Sequence, residues 1–145
     1  MSLPPFETDE DPQLALLEAE QLIEMGRIEA VESQHIEAIR CFAKALDIFR
    51  CQGNRAGEAQ ALANLGTVYQ TQGEYEQAIA HYSLALGIAR EIGSRKSAGI
   101  YLGNLGKVYQ VRGEYFDANV HYRLALDIAR EVGDTLSESF NLGNL

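Results

Sequence analysis

The feature that most restricts this chain is a period of 40 residues: laid over each other without a gap, residues 61–100 and 101–140 agree at 22 positions. The matches include Leu62/Leu102, Asn64/Asn104, Leu65/Leu105, Gly66/Gly106, Tyr69/Tyr109, Gly73/Gly113 and Ala78/Ala118. Residues 21–60 enter the same frame more loosely, through Leu22, Gly26, Ala38, Ile39, Ala45, Leu46, Ile48, Arg50 and Gly53. A fixed period of this length marks one supersecondary unit copied in series, each copy too small to bury its apolar face without its neighbours. The final residues Leu142-Gly143-Asn144-Leu145 copy Leu102-Gly103-Asn104-Leu105, so a fourth unit has begun and a fragment of a longer array is expected. The expected layout is a flexible acidic segment over 1–11, a divergent first repeat over 12–53, repeats over 54–93 and 94–133, and the first helix of a truncated fourth over 134–145.

Each unit reads as two helices. Gly73 and Gly113 fall mid-unit, and Gly53, Gly93 and Gly133 fall at unit ends, where a left-handed residue closes a helix. Asn54, Ser94 and Asp134 follow the closing glycines and are good N-caps for the next helix. Asp11 followed by Pro12 opens the first helix in the same manner. Helices are therefore expected over 54–71 and 74–91, then 94–111 and 114–131. No period-two apolar alternation bounded by turn residues competes, so no strand is expected.

At 100° per residue, Leu62, Leu65, Gly66 and Tyr69 share one face of the first helix. Glycine inside a helix costs about 1 kcal/mol relative to alanine, so its recurrence as Gly26, Gly66 and Gly106 predicts a tight crossing with the second helix. The second helix carries two stripes: Tyr75, Ala78, Tyr82, Ala85 and Ala89 for its own partner, and Leu84, Ile88 and Ile92 for the next unit. Two faces needing two neighbours is the logic of a solenoid.

Composition removes several functions. A formal net charge of -9 opposes the counterion release that drives nucleic-acid binding and repels anionic membrane surfaces. No apolar run of the length needed to cross a bilayer is present, and the opening residues carry no basic segment followed by an apolar core. A cytoplasmic protein with neither a nucleic-acid nor a membrane partner is expected. Cys41 and Cys51, if on one helix, stand roughly 15 Å apart, beyond the reach of a disulfide.

The run Leu62-x2-Leu65-Gly66-x2-Tyr69, followed by Ala78-x3-Tyr82 and Ala85, resembles the tetratricopeptide repeat signature, with Leu62 where a Trp often stands. It recurs in Leu102, Leu105, Gly106, Tyr109, Ala118, Tyr122 and Ala125. The first repeat keeps Leu22, Gly26, Ala38, Phe42 and Ala45 but has Met25 and Glu29 where Leu and Tyr are usual. The unit is about six residues longer than the usual 34, and with its Leu-Gly-Asn element it resembles the repeats of LGN/Pins-type scaffolds and kinesin light chains. The resemblance covers roughly residues 14–145. It implies an all-α fold, a right-handed α-solenoid of antiparallel helix pairs, and a protein-interaction scaffold binding an extended peptide in a concave groove lined by the first helices.

Helical geometry then nominates the groove residues, which lie about 100–200° around the first helix from Leu62. They are Gln60, Ala63, Asn64, Thr67 and Thr71 in the second repeat, and Ile100, Gly103, Asn104, Lys107 and Val111 in the third. The first repeat supplies Glu20, Ile23, Glu24, Arg27 and Val31. Asn64, Asn104 and Asn144 stand in register, and a primary amide carries both the donor and the acceptor that an extended backbone needs. The resemblance implies the same use of the asparagine. Arg27 and Lys107 are the groove cations, placed to meet an acidic spot on a ligand. The alternatives are a structural or self-associating array, including a homodimer through the truncated C-terminal edge bearing Phe140, Leu142 and Leu145, or a regulatory peptide sensor.

Catalysis, metal and cofactor find no motif. There is no Gly-x-Ser-x-Gly, P-loop or Gly-x-Gly-x-x-Gly. His81 and His121 occupy equivalent places and read as packing residues, since no Cys or carboxylate recurs around them at metal spacing. The protein is expected not to be an enzyme.

Overall fold

The computed structural model describes residues 11–145, so the acidic segment expected over 1–11 lies, up to residue 10, outside the described residues. These form seven α-helices: α1 (Pro12–Val31), α2 (His35–Cys51), α3 (Arg55–Thr71), α4 (Tyr75–Glu91), α5 (Arg95–Val111), α6 (Tyr115–Val132) and α7 (Thr135–Asn144). No strand occurs among the described residues. Gly53, Gly73, Gly93, Gly113 and Gly133 all take φ between 64° and 79° just past a helix end, the left-handed conformation that closes a helix. In the first repeat the place of Gly73 is held by Ser33, which adopts φ 62° despite its Cβ.

Three first helices are capped by side chains, as expected. The Oδ1 atoms of Asp11, Asn54 and Asp134 accept from the N–H groups of Gln13, Gly57 and Ser137 at 3.0, 2.9 and 3.1 Å. Ser94, expected to do the same for α5, makes no side-chain cap. That helix also begins with Arg95 and Lys96 and has no acidic residue in its first turn, against the preference of the helix dipole.

The helices pack as antiparallel pairs, α1 with α2, α3 with α4 and α5 with α6, and each second helix also packs on the first helix of the next repeat. First helices touch across repeats, α1 on α3 and α5 on α7, whereas no two second helices pack to that extent. The fold is an α-solenoid, with the first helices crowded on its inner side.

Within a pair, an aromatic ring lies over a glycine. A Cβ at Gly26 would meet the Phe42 ring at 2.6 Å, one at Gly66 the Tyr82 ring at 3.0 Å, and one at Gly106 the Tyr122 ring at 2.8 Å. The tight crossing is therefore present in every pair. Tyr82 and Tyr122 carry a hydroxyl into this contact, and both find an acceptor: Tyr82 Oη donates to Gln70 Oε1 at 3.0 Å, and Tyr122 Oη to Gln110 Oε1 at 2.8 Å. In the first repeat the tyrosine place holds Phe42 and the glutamine place holds Ala30, so donor and acceptor disappear together.

Between repeats, Phe49 of α2 covers Gly57 of α3 so closely that a Cβ there would overlap the ring. The equivalents of Phe49 are Ala89 and Ala129, and those of Gly57 are Ser97 and Ser137; bulk on one helix is matched by its absence on the other. The inter-repeat stripe differs from the one expected on α4. Ile88 is buried, but Leu84 and Ile92 remain exposed, and Ala85, Leu86 and Ala89 are buried instead. The two flanking first helices grip α4 on neighbouring sides, which leaves the Leu84 side facing outward.

Candidate functional site: the inner face of the first helices

Helical periodicity puts positions 20, 24, 27 and 31 of each unit on one stripe, and that stripe runs along the inner face. In α3 it consists of Gln60 and Thr67, both exposed, Asn64, half-buried, and Thr71, exposed. The threonine hydroxyls are engaged locally. Thr71 Oγ1 donates to the Thr67 carbonyl at 3.0 Å, and Thr67 Oγ1 lies 3.1 Å from the Ala63 carbonyl and 2.8 Å from Tyr82 Oη. Thr67 thus reaches through to the core, and its hydroxyl serves Tyr82 as well as the surface.

The three asparagines stand at equivalent places and in different states. Asn64 has its Nδ2 buried without a hydrogen-bond partner. Asn104 is half-buried and lines a cleft. Asn144 turns back on its own helix, Nδ2 donating to the Phe140 carbonyl at 2.8 Å. A buried N–H without an acceptor is costly, about 1–3 kcal/mol, which marks Asn64 as the ladder member with unmet hydrogen-bonding capacity.

The cations also differ. Arg27 is paired with Glu24 one turn away at 3.0 Å, so its charge is already answered locally. Lys107 is exposed and makes no ion pair among the described residues. Val111 remains exposed at the far end of α5. One residue assigned to this face by angle lies elsewhere, and a second is buried at the bottom of the face. Ile23 is 2% exposed and belongs to the core. Gly103 is buried, and a Cβ on it would stand 3.2 Å from Asn141 Oδ1. Position 23 lies on the flank nearest the next repeat, so the neighbouring first helix decides whether it is surface.

Between α5 and α7 the inner face deepens into a cleft of about 310 Å³. Its α5 wall is Gly99, Ile100, Gly103 and Asn104, and its α7 wall is Leu136, Ser137, Phe140 and Asn141. Only Ile100, Gly103 and Asn104 were legible as groove residues in the sequence. Asn141 stands in register with Ala61 and Tyr101 and is fully buried; Nδ2 donates to the Ser137 carbonyl at 2.8 Å, and Oδ1 has no partner.

The histidines pack. His81 Nδ1 lies 2.7 Å from the Gln77 carbonyl with its ring 5.0 Å from that of Tyr69, and His121 repeats the arrangement with Asp117 and Tyr109. Among the described residues no group of three His, Cys, Asp or Glu is placed to hold a metal ion. Cys41 and Cys51 both lie on α2 as free thiols, and burial raises the pKa of Cys41 above the usual thiol range.

A tetratricopeptide repeat model matches residues 15–91, and a second matches residues 100–132. Among solved structures the chain is similar to the apo form of RapI, at TM-score 0.80 and 20% identity over 87% of this chain and 35% of that one. The TPR domain of Arabidopsis FLU is similar at TM-score 0.73 and 22% identity over 86% of this chain and 100% of that one. BtubC (BKLC) from P. vanneervenii is similar at TM-score 0.74 and 19% identity, over 87% and 50% respectively. This chain spans about a third of the RapI chain it matches. No curated protein matches it.

Proposed function

The chain belongs to the tetratricopeptide repeat family, and from that premise we propose that this protein-interaction scaffold receives an extended peptide segment of a partner protein on the inner face of its first helices. The observation that carries the reading is the asparagine series. One primary amide per repeat stands in register at Asn64, Asn104 and Asn144, and that of Asn64 holds a buried donor without an acceptor. Adjacent helices pack about 8–10 Å apart and an extended peptide advances about 3.3 Å per residue, so one amide per repeat meets roughly every third ligand residue. Gln60, Thr67, Thr71, Lys107 and Val111 give the surface its side-chain selectivity, while Arg27, tied to Glu24, contributes less. The module is non-catalytic and acts in the cytoplasm; no helix among the described residues is long and apolar enough to cross a membrane.

Selection of a displayed random dodecapeptide library on the protein tests this. Selected peptides are expected to bind several-fold more weakly to Asn64→Ala and to Asn104→Ala at unchanged melting temperature, since one net hydrogen bond is worth about 0.5–1.5 kcal/mol. Absence of any enriched peptide, or full affinity in the double variant, refutes the ladder.

A second reading has its own observation. Phe140 and Leu142 of α7 and Leu145 just past its end are all about half exposed, and apolar surface of this kind is often covered by another chain. Homodimerisation through this edge predicts concentration-dependent sedimentation, and a strict monomer at high concentration rejects it.

A further inference from the structure

We propose that the α5–α7 cleft is the specificity pocket of the inner face, taking one bulky apolar side chain of a bound linear peptide that carries a carboxylate close to it in sequence. This rests on the peptide reading above and adds the chemistry of the ligand.

Three observations carry it. The walls are apolar where a side chain would enter: Ile100 and Phe140 keep 43% and 45% of their surface in water, and Leu136 keeps 83%. Ile100 and Leu136 are left out of the core and Phe140 gives it only an edge-on contact with Tyr122, ring centroids 6.4 Å apart, whereas the corresponding places in α3 hold Gln60 and Ala56 and those in α1 hold Glu20 and Leu16. The cleft is thus peculiar to the α5–α7 junction.

The second observation is the charge on its rim. Lys96 and Lys107 stand one turn before Ile100 and one turn beyond Gly103 on the same face of α5, and neither makes an ion pair among the described residues. Asp134 is held below the usual carboxylate range first by hydrogen bonds from Ser137 and to a smaller degree by the charge of Lys96. Lys96 also stands in the first turn of α5, where a cation works against the helix dipole, so the fold itself does not call for it. The inner stripe of α1, by contrast, bears Glu20 and Glu24 against Arg27, and since Arg27 is paired with Glu24 the charge left over is that of Glu20. The face therefore changes sign along its length, acidic at α1, neutral on α3 and basic on α5, and an acidic stretch of ligand belongs over α5.

The third is Asn141. It is 2% exposed, lines the cleft, and its Oδ1 is an acceptor without a donor. Glycine at 103 leaves that oxygen facing bare backbone. A ligand N–H placed at the cleft floor, from the peptide backbone or an indole, supplies the missing donor.

The library selection provides the test, now read for sequence. Enriched peptides are expected to share a Phe, Leu, Ile, Met or Trp with an Asp or Glu within four residues of it. Replacing the apolar residue by Ala, or Ile100→Ser in the protein, should weaken binding about tenfold or more, as expected for one buried apolar side chain. Lys107→Glu should weaken it about two- to fivefold and shift preference to the peptide in which the acid is changed to Lys, a swap that loss of folding cannot produce. Peptides that bind through the asparagines but show no such pair, or a Lys107→Glu protein with unchanged preference, overturn the pocket and leave the peptide reading standing. Failure to enrich any peptide overturns both.

Discussion

The hydroxyl of Tyr122 offers the sharpest test of how this repeat is held together. Tyr122 is fully buried over Gly106, and its Oη has Gln110 Oε1, at 2.8 Å, as its one recorded partner. Gln110→Ala leaves a hydroxyl in the core without an acceptor, which costs about 1–3 kcal/mol. Tyr122→Phe removes the hydroxyl itself and leaves Gln110, which is half-buried, free to turn to water; the loss should be about 0.5–1.5 kcal/mol. The double variant recreates the Phe42 and Ala30 pair of the first repeat and should cost little more than Tyr122→Phe alone. The coupling energy between the two sites is then close to the Gln110→Ala loss itself, about 1–3 kcal/mol, within the range for residues in direct contact. Repeat two supplies the control. Tyr82 Oη has both Gln70 at 3.0 Å and Thr67 at 2.8 Å, so Gln70→Ala should be milder than Gln110→Ala, although both replacements carry the same change in helix propensity. Urea unfolding followed by circular dichroism, with the slope held constant, gives each difference from the midpoint. Equal losses from Gln70→Ala and Gln110→Ala, or strictly additive losses in the Tyr122/Gln110 cycle, would refute the reasoning.

Other perturbations follow from the same packing. Ser33→Gly should raise stability by about 1 kcal/mol, because a left-handed residue with a Cβ is strained by about 1–2 kcal/mol and glycine gives back part of that as unfolded-state entropy; a lower melting temperature would count against it. Gly57→Ala should lose about 1–3 kcal/mol by overpacking against Phe49, whereas Gly87→Ala, in α4 with nothing near its missing Cβ, should gain about 1 kcal/mol from helix propensity; the sign difference is read by thermal melting. Burial raises the pKa values of Tyr82, Tyr101 and Tyr122, so the neutral phenol is favoured in the folded state. The stability this contributes is complete below about pH 10, the ordinary tyrosine value, and is lost as pH rises from there through the folded pKa values, so melting temperature should fall in that window, less steeply in Tyr101→Phe.

The period of 40 and its glycines were enough to determine the order and ends of the helices. Capping and helix closure depend on residues within one turn of each other, and a repeat states the same local solution several times. The tight crossings at Gly26, Gly66 and Gly106 were legible for the same reason, since a glycine inside a helix calls for a close neighbour. What the sequence could assign to the inner face was an angle around one helix axis. That angle put Gln60, Thr67 and Lys107 on an exposed side of their helices, but it could not show that the Asn64 amide is buried or that the Thr67 hydroxyl meets Tyr82. It failed at Ile23, which sits on the flank the next first helix covers, it did not show that Gly103 is buried in the cleft wall, and the second-helix stripe failed at Leu84 and Ile92, which the next repeat leaves bare. The cleft at Phe140 and Asn141 was equally out of reach: its walls come from two helices 40 residues apart, and no spacing along either records how closely they approach. Arg27 and Lys107 differ for a local reason instead: Glu24 stands three residues before Arg27 on the same helix and pairs with it, whereas Asn104 holds that place before Lys107. Periodicity determined which residues each helix offers; the displacement between neighbouring repeats decided which of them are buried, paired or left free to bind.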